Sequence, residues 1–522
     1  MQIDRRVLMK AAGSLAMFSG LSSRPVFGQV LAANPFTLGI ASGDPHPDGF
    51  VLWTRLAPTP FEPGSGMPMQ GVPVQWEVAL DEAFERIVQT GEEIARPELG
   101  HSVHAEVFGL EPAARYYYRF RTGGEVSMTG KVRTAPAPGA AVDGLRIGVA
   151  GCQNYEAGFF TAYHHLAREP ELDAIFHYGD YIYEHRGGQG CRSETAPGKY
   201  CPRTHVGDEI YTLDDYRRRY AQYKMDEDLQ AAHAAAAFLP TFDDHEVDNN
   251  WADMLDEQGT HPELFALRRF AAMQAWYENM PVRRAQFPRA GGLLMHRRLD
   301  YGRLLRIHLL DTRQYRSDQR CGTNEASNCR PAGDAAPSHM LGSAQEGWLG
   351  EGLSNDFSWN LLAQQVMMMP FTYPAGRASG PINQDSWSGY PDARSRVIQS
   401  IRNRNLGNVV VATGDVHKHH VGIVPEREDD PGGPAAATEF VTSSVTSGGD
   451  GSDIPEGWEG VLSDNPHTMM LSDRRGYQVF SINEKQWLTE IVGIDKVTEQ
   501  GSDKRVIARF VTDPARPGAV AA

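Results

Sequence analysis

A chain of 522 residues, 41% of them hydrophobic, is too long for a single core and predicts two domains. Its 50 basic and 66 acidic residues leave a net charge of −16, which argues against nucleic-acid wrapping. An anionic substrate would then need a local source of positive charge, such as bound metal.

The first element is a targeting segment. Arg5-Arg6 precedes a mild apolar run from Ala11 to Leu21, the pattern of a twin-arginine (Tat) export signal, with cleavage expected within 26–33. The run is short for a membrane anchor, and no later stretch approaches a span of 18 apolar residues. Residues 1–33 are therefore read as a signal, the Tat export machinery as a partner, and the mature protein as periplasmic or secreted with no stable membrane span. Tat export of folded proteins fits a cofactor loaded before export.

Residues 34–135 alternate. Stretches 74–80, 103–107 and 116–121 have the period of two of half-buried strands, and Gly109-Leu110-Glu111-Pro112 reads as the corner of an immunoglobulin- or fibronectin-like β-sandwich. Ala135-Pro136-Ala137-Pro138-Gly139 is a linker.

From 136 to 522 strands and helices interleave, predicting a layered α/β domain. Strands are expected at 145–151, 174–178, 303–310, 360–369, 408–413, 439–443 and 477–482. Helices are expected at 158–168, from Leu213 (capped by Thr212) onward through Leu239, and at 262–278, begun by Thr260. Loops 186–208 and 317–340 each carry two cysteines, Cys191 with Cys201 and Cys321 with Cys329, and export makes both pairs expected disulfides. Cys152 is left over, a buried hydrophobe or a ligand.

Strand after strand ends in metal-ligand residue types. Gly151-Cys152 ends the first and Gly179-Asp180-x-x-Tyr183 the second. Phe242-Asp243-Asp244-His245-Glu246, Asp311-Thr312-Arg313 and Gly414-Asp415-Val416-His417 follow later apolar runs. Each alone is an ordinary turn or helix cap. Together, at the carboxyl ends of neighbouring strands, they would converge on one rim. Phenolate and carboxylate oxygens suit hard cations. No Gly-x-Ser-x-Gly elbow and no P-loop pattern is present.

These motifs, in this order, resemble the calcineurin-like metallophosphoesterase superfamily. Gly151-Cys152, the run Phe242 to Trp251, Asp311-Thr312-Arg313 and Thr413 to His417 resemble its PhoD-like alkaline phosphatase branch. Gly39 to Pro45 and Val51 to Arg55 look like that family's N-terminal β domain. The resemblance implies a layered αββα sandwich behind an N-terminal β-sandwich. It implies Fe(3+) on Cys152, Asp180, Tyr183 and His417, with Asp180 bridging to Ca(2+) held by Asp244 and Asp415, and a second calcium. One further ligand is expected at Gln364 or Gln365, with Gln365 preferred. His245 is assigned to the phosphoryl oxygens or leaving group, the alternative being that it orients Asp244. Asn249, Asn250 and Arg313 are candidate phosphate contacts, although Arg313 could instead pair with a carboxylate such as Asp311 or a neighbour.

The implied activity is hydrolysis of small phosphate mono- and diesters by attack of a metal-bridging hydroxide, with an alkaline optimum. The alternatives are a phosphodiesterase of phospholipase D type, acting on lipid head groups or cell-wall phosphodiesters, and a catalytically silent metal-binding surface protein.

Overall fold

The computed structural model describes residues 33–189, 201–289, 292–322, 327–331, 338–374 and 380–522. The twin-arginine segment and Cys191 lie outside them.

Two sheets face one another. The larger has ten strands, in the order Arg516–Ala521, Lys504–Asp513, Trp487–Ile494, Gly476–Ile482, Leu145–Ala150, Ala174–His177, Ala237–Pro240, Ile40–His46, Gly49–Arg55 and Ser102–Val107. Its centre, Leu145–Ala150 to Ile40–His46, is parallel. The second sheet has seven strands, and Leu305–Leu309, Trp359–Ala363, Val409–Thr413 and Ala435–Val441 run parallel within it.

Alternation along each central strand divides its side chains between two layers. Ile147, Val149, Phe176 and Leu239 meet Ile307, Leu361, Val410 and Phe440 between the sheets. Ile175 and Phe238 point the other way, to Leu166, Tyr220 and Trp276 of the helices Thr161–Leu166, Leu213–Lys224 and Pro262–Asn279. Leu362, Val409 and Val411 likewise meet Leu349, Val397 and Ile401 of Gly342–Gly352 and Pro391–Asn403. With both faces covered, the central strands are apolar throughout, which is why they read as unbroken hydrophobic runs. The layering is αββα, as the resemblance implied.

The N-terminal region forms a β-sandwich whose two layers differ in origin. Val72–Ala79, Ile87–Ala95, Arg115–Thr122, Glu125–Val126 and Gly130–Arg133 make a separate antiparallel sheet. The opposing layer is the edge of the ten-stranded sheet, and Phe50, Leu52, Val74, Val78, Tyr118 and Phe120 fill the space between. At the expected corner, the backbone N–H of Glu111 donates to the Tyr116 hydroxyl at 3.0 Å.

Three local expectations change. The helix expected through Leu239 stops at Ala235, and Ala237–Pro240 is a strand between Ala174–His177 and Ile40–His46. The helix from Pro262 is capped by the His261 ring, not by Thr260. The strand expected at 303–310 is present as Leu305–Leu309, the second arm of a hairpin with Arg297–Tyr301. The strand expected over 360–369 ends at Ala363. Thr212 does cap its helix, reciprocally with Asp215. Cys321 and Cys329 are bonded, with Cα atoms 5.8 Å apart. Cys201 is disulfide-bonded and Cys152 is a buried free thiol.

Candidate metal centre

The parallel strands of both sheets deliver their carboxyl ends to one rim, and the residues at those ends share an unusual backbone. Cys152, Asp180, Asp415 and His417 have φ of 49°, 53°, 67° and 54°. Left-handed backbone at non-glycine residues costs roughly 1–3 kcal/mol each and persists only where surrounding structure enforces it. Here the enforcement is visible. The N–H groups of Cys152 and Gln153 donate to the carbonyls of Gly179 and Asp180 at 3.0 and 3.1 Å. Glu246 accepts from the N–H groups of Asp180, Tyr181 and Asp243 at 3.0, 2.7 and 2.9 Å. Glycine precedes Cys152 and Asp415 because the Tyr178 ring leaves no room: a Cβ on Gly151 or Gly414 would lie 2.4 or 2.0 Å from it.

Four ligand groups result among the described residues, the fourth of them Glu184, His185 and His245. Ligand atoms of Cys152, Asp180 and His417 lie within 4.8 Å of one another. The Tyr183 hydroxyl donates to Asp180 Oδ2 at 2.8 Å and lies 3.3 Å from His417 Nε2. Asp243, Asp244 and Asp415 form the second group, and Asp180 joins Asp244 and His245 in a third that links the two. Asp180 therefore belongs to both halves.

Arg313 is fully buried against the second group. Its Nε is 2.6 Å from Asp243 and its Nη1 2.7 Å from Asp385. Its Nη2 is 3.3 Å from Asp244 and 3.6 Å from Asp415. It thus pairs with neighbouring carboxylates, whereas Asp311 meets it only through the backbone, accepting from the Arg313 N–H at 3.0 Å. His245 Nδ1 is 2.7 Å from Glu184 Oε2, and its ring lies 4.0 Å from that of Tyr183.

Other predicted residues are placed less directly. The backbone N–H groups of Asn249 and Asn250 donate to Glu184 Oε1 at 3.1 Å and Asp244 Oδ2 at 2.8 Å, which places both residues beside the cluster. The Asn250 side chain donates to Glu257 at 2.8 Å. Gln365 lies beside the Gly414-Asp415 turn, its backbone carbonyl accepting from Gly414 N–H at 2.9 Å; its side-chain carbonyl accepts from Thr312 N–H and hydroxyl at 3.1 and 2.6 Å, and its amide donates to Leu310 O at 2.9 Å. Gln364 is likewise bound to Val366 O and the Trp387 indole. Sequence reasoning gave no role to Asp243, Glu184, Glu246, Asp385 or Ser447. The first three sit inside or beside quoted motifs. Asp385 and Ser447, the latter 2.6 Å from the Tyr183 hydroxyl, lie in polar loops with no local signal.

The electrostatics describe a pocket short of positive charge. Burial pushes the Asp243 and Asp415 carboxyls up, as do their acidic neighbours, with only Arg313 in opposition. Burial raises Asp244 to about 6. Burial and Asp180, Asp415 and Asp243 raise the Cys152 thiol. Asp180 resists burial because His245 and His417 hold its carboxyl below the usual range. Asp180 Oδ1 and Asp243 Oδ2 are buried without hydrogen-bond partners. Unpaired carboxylate oxygens beside a thiol, a phenol and an imidazole fit a pair of metal ions.

Facing sheets flanked by helices, with such a donor set at the strand ends, define a metallophosphoesterase-type hydrolase. The family profile "PhoD-like phosphatase" matches residues 147–491, and that of its N-terminal domain matches 22–136. Alkaline phosphatase D of Bacillus subtilis (strain 168) is 44% identical over 532 residues, covering 99% of this chain and 88% of the relative. A solved structure of PhoD is 45% identical and superposes with a TM-score of 0.88, covering 94% of this chain and 92% of the other. The chain belongs to the PhoD-like phosphatase family.

Proposed function

We propose that this protein is an exported alkaline phosphatase and phosphodiesterase that cleaves small phosphate esters at the strand-end rim. The observation that carries the reading is the joining of two ligand clusters through Asp180. Cys152, Asp180, Tyr183 and His417 would hold Fe(3+), the thiol and phenol as thiolate and phenolate. Asp180, Asp244 and Asp415, with Asp243 beside them, would hold Ca(2+), which takes hard oxygen ligands. When bound, the two ions supply the charge that draws in a phosphoryl group and activates water.

The chain's own residues do the rest. Glu184 fixes the His245 ring by its Nδ1, leaving Nε2 to donate toward a phosphoryl or leaving-group oxygen beside Asp180 and Asp244. Glu246 holds the Asp180 and Asp243 loops at a set separation, so substrate meets a preformed site. Twin arginines and the Cys321–Cys329 bond support export to the periplasm or beyond the cell. We take 34–135 as a sandwich unit and 136–522 as a catalytic unit, a division supported by two family profiles that meet in the same region, one ending at 136 and the other starting at 147.

The test is hydrolysis of p-nitrophenyl phosphate and bis-p-nitrophenyl phosphate, with and without chelator. Turnover of both, abolished by chelation, is expected. Turnover of neither by metal-loaded protein would overturn the reading in favour of a silent metal-binding protein.

A further inference from the structure

The sequence points to Arg313 as a phosphate contact, but its surroundings suit another task. The side chain has no exposed surface, and all three guanidinium nitrogens face carboxylates. An incoming phosphate dianion would have to displace those carboxylates to reach it. Three of the four partners, Asp243, Asp244 and Asp415, are the same residues whose oxygens cluster within 4.8 Å. The fourth, Asp385, belongs to no such group among the described residues.

The structure around Arg313 is built to hold it still. Asp311 Oδ1 accepts from the N–H groups of Arg313 and Gln314, each at 3.0 Å. Gln345 pairs with both the N–H and the carbonyl of Asp311, each at 2.9 Å. Gln365 grips Thr312 from the other side. Asp385 is itself fixed, by Arg316 Nη1 at 2.6 Å and Gln319 Nε2 at 3.0 Å. A clamped loop thus presents one cation to carboxylates that arrive from two other strand ends.

We propose that Arg313 is a positioning residue for the calcium cradle, gathering Asp243, Asp244 and Asp415 before the metal arrives, with Asp385 as its tether. This rests on the reading of those carboxylates as calcium ligands. Like charges forced into one low-dielectric pocket repel strongly, and a fixed guanidinium cancels part of that repulsion at a defined point. The calcium then meets a formed cradle and does not have to assemble one. Gln365, which grips Thr312, is part of the clamp.

The experiment is calcium titration of chelator-stripped protein by calorimetry, with metal content and visible absorption recorded on the reloaded protein. Arg313→Met should weaken calcium binding by about 10- to 100-fold, as loss of a residue that orients ligands does. The iron-dependent colour should stay at the wild-type level. Arg313→Lys should recover part of the calcium affinity. Folded Arg313→Met with wild-type calcium affinity overturns the proposal, and a raised KM in that variant would return Arg313 to phosphate binding. If Arg313→Met does not fold, Asp385→Asn decides: weakened calcium binding supports the tether, and unchanged binding overturns it. A wild-type protein that takes up no calcium overturns the underlying ligand reading as well.

Discussion

Cys152 shows how much one residue depends on what sits beside it. It is buried, left-handed in backbone, and its thiol is pushed up by burial and by Asp180, Asp415 and Asp243. Such a thiol becomes thiolate only beside a cation. On the proposed iron assignment, Cys152→Ala is therefore expected to remove the metal, its visible absorption and most of the activity. A variant that stays coloured and active would refute the thiolate ligand. Glu184 makes a second residue-scale case. Its carboxyl resists burial because His245 and His185 hold it below the usual range. Glu184→Gln keeps the shape but removes the charge that holds His245. The expected result is a kcat lowered by about 10- to 100-fold with little change in KM, the loss being larger for poor leaving groups. A uniform loss across leaving groups would show that Glu184 only supports the fold.

At the scale of elements, the strand ends were legible and the strand neighbours were not. Gly151-Cys152, Gly179-Asp180 and Gly414-Asp415 are local signals: an apolar run, a glycine, then a ligand. Ala237–Pro240 is not, because Ala234, Ala235 and Ala236 before it favour helix until Ala236 turns extended at φ −159°. Only its parallel partners on both sides make it a strand, and such pairing is set far away in sequence. For the same reason the sharing of the large sheet by Ile40–His46 was invisible. Asp385 and Ser447 escaped because they reach the site through loop geometry alone. Strand Ala435–Val441 carries a further consequence. Burial pushes Glu439 from 4.5 up to about 7, although it accepts from Met368 N–H at 2.7 Å and the Thr413 hydroxyl at 3.1 Å. A carboxyl raised by folding favours the folded state fully below its unfolded value. That contribution is lost as pH rises through the folded one. Wild type should thus lose roughly 3 kcal/mol between pH 4.5 and 7 relative to Glu439→Gln. Parallel chemical-denaturation curves across that window check it, and coincident pH profiles would contradict it.

At the scale of the whole molecule, the proposed metal centre draws its side chains from both sheets. Cys152, Asp180 and Asp243 come from the ten-stranded sheet, whereas Arg313, Asp415 and His417 come from the seven-stranded one. The apolar seam between the sheets is one cluster that includes Ile147, Val149, Ile307 and Leu361. At the rim, the opposing side chains are acids that repel unless a cation lies between them. Metal binding should therefore stabilise the global fold, and not only a loop. A ligand that binds only the folded chain at 100 times its dissociation constant adds about 2.7 kcal/mol. EGTA should accordingly lower the midpoint of thermal unfolding and abolish activity together, and added calcium should restore both. On the proposed reading the same ions hold the sheets and the substrate, so the two effects should follow one calcium titration curve. Loss of activity with an unchanged unfolding midpoint would mean that the seam alone joins the sheets, and that the ions serve chemistry without bearing on the fold.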